Sequence, residues 1–461
     1  MKKLSPRRRL ERNWILYDVG NSAFTLLIST IMPIYFNYLA GEGGIDATTA
    51  TAYWGYAASI VTLCVAILGP TLGTLSDFSG YKRPIFFFFA IAGVLGCAAL
   101  GIPMPWLVFL VVFILTKIFY SASLVFYDSM LVDVTTHERA DDVSSKGYAW
   151  GYIGSCIPFI ISIVIVQFTP LNIAVSMPIA LAINALWWFG FTIPLMKSYR
   201  QTHFVPRTPH AVRDNFKRLF SVFSKKSDVQ NKKGIILFLI AFFLYIDGVY
   251  TIIDMATSFG TALGFDSTNL LLALLLTQVI AFPSAIVFGK LTGKVRNDVL
   301  ILVCIVAYTG IGLFAVFMTE VWQFWTLATA VGLFQGGVQA LSRSYFAKII
   351  PADQSGCLFG ILDIFGKGAA FLGTLLVSVV TQATDSVNLG AIPIVCLFAA
   401  GIAVFVVAAR VNRPYLAKQA ADDAAAAANA PLADPAAEDG AEGEAAAAED
   451  TPAADDDSAS D

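Results

Sequence analysis

The chain has 461 residues, 57% of them hydrophobic and 14% charged, with a formal net charge of −3. A soluble globular domain is roughly 45–50% apolar and about 25% charged, so this composition excludes a string of ordinary soluble domains, although the length alone would suggest about three. The net charge conceals a division: residues 414–461 hold 13 Asp/Glu and one Lys, and the rest holds 29 basic and 20 acidic residues.

Apolar segments long enough to cross a hydrocarbon core of about 30 Å recur twelve times. They fall at 14–39, 51–75, 84–102, 107–131, 147–168, 172–196, 234–263, 268–289, 298–318, 322–347, 355–381 and 389–409. The apolar run of segment 1 is too long for a cleaved signal peptide. It carries Asp18, Ser22, Thr25 and Ser29 on one stripe, with Asn21 beside it, because positions four and seven apart share a helix face. Between segments 2 and 3 lies GTLSDFSGYKR, Gly73 to Arg83. Segment 4 carries Lys117, Ser121 and Asp128, flanked by Tyr120 and Tyr127. The longest polar break in the body, 197–233, then separates six segments from six.

Segment 7 carries Asp247, Thr251, Asp254 and Ser258, flanked by Tyr245 and Tyr250. After segment 8, Gly289-Lys-Leu-Thr echoes Gly73-Thr-Leu-Ser, but Gly293 stands where the first half has Asp77. Segment 10 carries Gln335, Gln339 and Arg343, and segment 11 pairs Asp363 with Lys367, four residues apart. Segments 3, 6, 9 and 12 have no charged residue in their interiors. The Ala-rich acidic tail buries too little to offset its ordering entropy, which predicts disorder.

Charge orients the segments. The loops near 40–50, 103–106, 169–171, 264–267, 319–321 and 382–388 contain no Lys or Arg, and 27 of the 30 basic residues fall on the opposite side. The positive-inside rule puts that side, with both termini, in the cytoplasm. The expected fold is an all-α polytopic membrane protein of twelve transmembrane helices in two six-helix bundles. Its expected parts are an N-terminal bundle (1–196), a basic cytoplasmic linker (197–233), a C-terminal bundle (234–413) and a disordered acidic tail (414–461).

A charge at the centre of a membrane helix costs about 2.5–3.5 kcal/mol on insertion scales, so the charged stripes mark surfaces shielded from lipid. At 1.5 Å per residue, Lys117 lies about 15 Å and Asp247 about 20 Å from the nearer end of its segment. Neither has an opposite charge nearby in its own helix. The spacing therefore nominates Asp18, Asn21, Lys117, Tyr120, Asp247, Tyr250, Asp254, Gln335, Gln339, Arg343 and Lys367 as the path of a solute or ion. Three of them have a plain structural reading: Asp363–Lys367 as a local ion pair, Arg343 as a side chain reaching the inner face, and Asp18 as a complement to a helix N-terminus. The six cysteines stand singly without CxxC spacing, so no metal site or redox pair is expected. No phosphate-binding loop of the G-x-x-x-x-G-K-[ST] type appears, so neither nucleotide drive nor a cofactor is expected.

The run Gly73–Arg83 resembles the loop signature of the major facilitator superfamily, Gly-x-Leu-x-Asp-x-x-Gly-x-Lys/Arg-Lys/Arg, with Gly73, Leu75, Asp77, Gly80, Lys82 and Arg83 at its positions. The resemblance implies a secondary transporter, not an enzyme, working by alternating access. Segments 1, 4, 7 and 10 would line a central cavity, and this loop would latch the bundles on the cytoplasmic side. Four further stretches resemble the vacuolar-effluxer-like branch, whose fungal members release amino acids: Asn13–Phe24, Phe243–Ile252, Gly332–Pro351 and Phe359–Gly373. The family pattern after segment 4 runs Tyr-Asn-x-x-Leu-Pro; here Asp128 follows Tyr127, and Val132 stands where Pro is expected.

An amino acid suits a midplane cation and anion, Lys117 for its carboxylate and Asp247 for its ammonium, with Asp247 or Asp254 coupling movement to protons. The expected partners are a small-molecule solute, protons and the lipid bilayer, with no nucleic acid and a monomeric state. A bacterial cytoplasmic membrane is expected over a vacuolar one. The rival readings are a drug or lipid exporter of the same fold and a transporter-fold receptor or scaffold.

Overall fold

The computed structural model describes residues 5–206 and 230–429. Most of the basic linker, with His210, and the tail beyond residue 429 lie outside the described residues. Among the described residues, twelve long helices carry the fold: α1 (Pro6–Glu42), α2 (Ala47–Ser76), α3 (Lys82–Ala99), α4 (Trp106–Ser129), α5 (Ala140–Phe168), α6 (Ile173–Ser198), α7 (Lys232–Ala262), α8 (Ser267–Leu291), α9 (Asn297–Val316), α10 (Val321–Ile349), α11 (Ser355–Thr384) and α12 (Ile392–Asn429). Local chemistry sets several ends. Ser5 accepts the Arg8 N–H ahead of Pro6, and Asp46 accepts the Thr49 N–H at the start of α2, each satisfying a donor that the first turn leaves unpaired. Among the described residues, eleven helices are long and apolar enough to cross a membrane. The remaining one, α10, is the helix that holds Gln335, Gln339 and Arg343.

The described residues up to 413 form one compact unit and those from 414 a second. In the second unit, residues 414–429 are helical where disorder was expected: half of that stretch is alanine, the best helix former. Helices α1 and α5 begin at Pro6 and Ala140, upstream of the predicted residues 14 and 147. Hydropathy marks only the apolar part of a helix, whereas backbone pairing continues through its polar end.

Within the first unit, two six-helix groups, α1–α6 and α7–α12, repeat the same contacts. Tyr17 bonds Ser123 at 2.8 Å between α1 and α4, and Tyr245 bonds Ser342 at 2.7 Å between α7 and α10. Asp18 and Ser22 of α1 pack over Gly147 and Gly151 of α5, as Asp247 and Thr251 of α7 pack over Gly373 of α11. The shared geometry supports a duplicated bundle more strongly than the Gly289 echo does. Inside each group the core is aromatic: Trp14 stacks on Tyr127 at 4.4 Å, Phe24 on Trp188 at 5.4 Å and Phe238 on Phe346 at 5.6 Å. Outward aliphatics such as Leu63, Leu186 and Val306 are exposed, which suits lipid as solvent and would be unusual against water. The end that carries Lys82, Arg83, Lys290 and Lys348 is called the basic end below.

Candidate transport pathway

Two helix crossings join the groups at the basic end. In the first, α2 meets α11. Gly73 and Gly356 approach so closely that a Cβ on either would overlap backbone of the other. This contact brings Asp77 to the first turn of α11, where its two carboxylate oxygens accept the N–H groups of Gly356 (2.7 Å) and Cys357 (3.0 Å). A carboxylate at a helix N-terminus satisfies unpaired donors and meets the positive end of the dipole. Lys82 donates to Ser355 at 2.9 Å and stands 3.7 Å from Asp133. Arg83 instead donates to the Met196 carbonyl within its own group. Gly80 takes φ +77°, a left-handed conformation that glycine enters without strain.

The residues after α6 strap this loop. Gln201 accepts the Gly80 N–H and donates to the Ser76 carbonyl. Val205 donates to the Asp77 carbonyl, and Ser79 donates to that of Val205. Thr202 and His203 donate their N–H groups to Asp133, which also accepts the Tyr199 hydroxyl at 2.6 Å. Burial and the Asp133 charge push the Tyr199 phenol well above its ordinary range, so it remains a donor at any physiological pH.

In the second crossing, α5 meets α8, with Gly289 against Ser145. Asp141 near the start of α5 accepts Asn297 and Lys348, each at 2.5 Å. Between the two crossings, Arg343 of α10 enters the first group. It donates to Asp128 at 3.0 Å and to the hydroxyl and carbonyl of Ser144 at 2.9 Å each, and it stands 3.5 Å from Asp18. Its guanidinium covers the rings of Tyr148 at 4.2 Å and Trp14 at 4.6 Å. Arg343 is buried, so it does not reach the inner face as the snorkelling alternative required. The Asp128 that departs from the family pattern is its hydrogen-bonded carboxylate. One step deeper, the Tyr152 hydroxyl donates to Gln339 at 2.9 Å, again across the groups. Gln335 is buried.

Beyond this level polar groups become accessible. Thr25, Ser29, Asp254 and Ser258 are exposed, and Tyr250 is half-buried. Lys117 of α4 is half-buried; its ammonium lies 5.9 Å over Phe113 and within electrostatic range of Asp254 and Lys367. Tyr120 bonds Thr25 at 2.5 Å, and Tyr250 lies in the field of Asp254, Asp363 and Asp128. Lys367 grips Asp363 at 2.6 Å, the local pair that four-residue spacing allows, with both side chains partly exposed.

Two sequence readings need correction. Asp247 does not face Lys117: it is fully buried, and its Oδ1 accepts the Gly373 N–H at 2.8 Å and the Thr251 hydroxyl at 3.3 Å, while its Oδ2 accepts no hydrogen bond. Asp254, seven residues further along α7, is the carboxylate in the field of Lys117. Asp18 does not cap a helix start, since α1 begins twelve residues earlier at Pro6; it packs against Arg343 instead. Asn21 is buried and donates to the Tyr17 carbonyl of its own helix. Sequence reasoning missed Ser144, Tyr152, Asp141, Asn297, Lys348 and the Asp133 strap. The one available signal was the polar density of 133–146 and 199–203 beside apolar segments.

Twelve helices in two repeated groups, joined through this loop signature, are the architecture of a major facilitator superfamily transporter. More narrowly, the chain belongs to the vacuole effluxer Atg22-like family, whose model matches residues 43–137 and 132–414. It is 41% identical over 402 residues to the MFS-type transporter YxiO of Bacillus subtilis, covering 86% of this chain and 93% of that protein. It is 28% identical over 267 residues to autophagy-related protein 22-1 of Aspergillus niger, covering 52% of this chain and 42% of that one. Among solved structures it resembles the human organic anion transporter MFSD10, with a TM-score of 0.67 at 13% identity over 87% of this chain and 100% of that chain. It also resembles a bacterial homologue of the iron transporter ferroportin in its outward-facing state, with a TM-score of 0.64 at 14% identity over 88% of this chain and 100% of that chain. The protein is a multi-pass membrane transporter, not an enzyme.

Proposed function

We propose that the protein moves a zwitterionic amino acid by alternating access, with the solute held between Lys117 and Asp254. The observation that carries this reading is a cation on α4 and an accessible carboxylate on α7, one from each group, in each other's field. A zwitterion offers the complementary pair of charges, and Tyr120 and Tyr250 supply rings and hydroxyls beside them. Opposed charges on two bodies that move relative to one another bind a bridging ligand best in one arrangement, which is what a solute-dependent transition requires. With the basic end cytoplasmic, as the positive-inside rule indicates, the arrangement seen here is closed to the cytosol, and the accessible residues face outward. A bacterial cytoplasmic membrane suits the similarity to the Bacillus protein. The fungal relatives keep a vacuolar membrane as the competing location.

Asp247, buried and without a cation within ion-pair distance among the described residues, is assigned to proton coupling in place of ammonium binding. The test is uptake into proteoliposomes with a panel of labelled amino acids, sugars and organic anions under an imposed pH gradient. Amino-acid accumulation that is lost in Asp247→Asn yet persists as downhill exchange supports the reading. Uptake of sugars with amino acids excluded would end it.

A further inference from the structure

Asp133, in the turn between α4 and α5, is the post to which the strap after α6 is tied. Its side chain is buried, and Lys82 at the start of α3 is buried beside it, 3.7 Å from Oδ2. Oδ2 also accepts the Tyr199 hydroxyl, and Oδ1 accepts the Thr202 and His203 N–H groups at 3.2 and 2.9 Å. The His203 ring reaches Oδ1 through Nδ1 at 3.0 Å, while 47% of its side chain stays exposed. The Thr202 hydroxyl lies 3.1 Å from that nitrogen and 2.9 Å from Oδ1. Other charged groups around the post are engaged elsewhere or turned to solvent. Arg83 donates to the Met196 carbonyl, Arg200 is exposed, and Asp77 caps α11. Glu11, which accepts Thr135 two residues beyond Asp133, is paired with Arg139, and Arg139 also meets Asp142.

The strap holds the loop that closes the basic end. Gln201 and Val205, on either side of His203, bond the backbone of Ser76, Asp77, Ser79 and Gly80. Every one of these partners belongs to the first group. The strap therefore acts by fixing the Asp77 loop in the shape that receives α11, not by bridging the groups. Imidazole changes charge between about pH 5 and 8. In a neutral ring Nδ1 either donates to Asp133 or accepts from Thr202; in a charged ring both nitrogens donate. Only the charged ring sets a second cation against the buried carboxylate. A docked strap thus binds the proton more tightly than a released one, and by linkage acid favours docking.

We propose that His203 is a pH sensor that tightens closure of the basic end when it is protonated. Charged, it pins the strap to Asp133, and the strap holds the Asp77 loop against α11. Neutral, it loosens the strap, and the basic end opens more often. Acid on that side slows exposure of the pathway there. The inference rests on the alternating-access reading. It needs neither the amino-acid assignment nor the role given to Asp247.

The test is a distance measurement on the full chain in lipid nanodiscs, without solute or gradient. Spin labels go on Glu138→Cys and Lys294→Cys, exposed residues at the basic ends of the two groups, with the six native cysteines replaced by alanine. The quantity read is the ratio of the longer to the shorter inter-label population, in the labelled parent relative to His203→Gln, which cancels carboxylates that titrate elsewhere. As pH falls from about 8 to about 6, that relative ratio should fall about two- to fivefold, the range of one partly exposed ion pair. His203→Lys, charged throughout, should stay near the parent's acid value at both ends of the range. The proposal is overturned by a parent that follows His203→Gln at every pH, by a relative ratio that rises in acid, or by His203→Lys behaving as His203→Gln does. A basic end that never opens overturns alternating access along with it. One that opens without regard to residue 203 overturns this inference alone.

Discussion

The two crossings at the basic end occupy equivalent places in the duplicated fold but use different chemistry. At α2–α11, a side chain grips backbone: Asp77 accepts two N–H groups of a helix start, and glycine lies on both sides. At α5–α8, side chains grip side chains: Asp141 accepts Asn297 and Lys348, with glycine on one side only. The position equivalent to Asp77 is Gly293, and the acid has moved to the opposing helix. A duplicated bundle thus keeps the geometry of a contact while its hydrogen-bonding partners drift. Backbone amides cannot be changed by mutation, so the first crossing is the stricter of the two.

That contrast can be broken in order of expected effect. Gly73→Val should be the most severe change, because no rotamer removes a Cβ that overlaps the Gly356 carbonyl. The basic end should no longer close, and Cys357, buried beside Asp77, should react rapidly with a maleimide added from that side. Asp77→Ala should weaken closure by about 1.5–3 kcal/mol, the value of hydrogen bonds to a charged group. That is a tenfold or greater rise in Cys357 labelling, with solute specificity unchanged. Asp141→Ala, assayed the same way, should cost about 1–3 kcal/mol for the unpaired partners it leaves, while Asp141→Asn should recover part of it through Asn297. Gln201→Ala, which releases the strap but not the crossing, should cost about 0.5–1.5 kcal/mol. Equal effects of Asp77→Ala and Gln201→Ala would show that the helix-start contact is not what holds the first crossing.

Much of this arrangement was legible in the sequence, for reasons the residues make plain. Hydropathy located the helices because lipid-facing surfaces must be apolar, and the Gly73–Arg83 signature identified the first crossing because Asp77 and its glycines have few other uses. The partner of Lys117 was not legible. Asp247 and Asp254 stand seven apart on one stripe of α7, so periodicity places both on the same face and cannot choose the depth at which α4 meets it. The Asp141, Asn297 and Lys348 cluster joins three helices from two groups, and helical spacing carries no information about such contacts. Helicity at 414–429 was missed because low complexity was read as disorder, although alanine favours helix.

The most direct test of a zwitterion held between Lys117 and Asp254 pairs variants with truncated solutes. Wild-type protein in proteoliposomes should exchange an amino acid but neither the matching amine nor the matching carboxylic acid. Lys117→Met should lose its preference for the amino acid over the amine, and Asp254→Asn its preference over the acid. If both variants discriminate as the wild type does, the solute is held elsewhere.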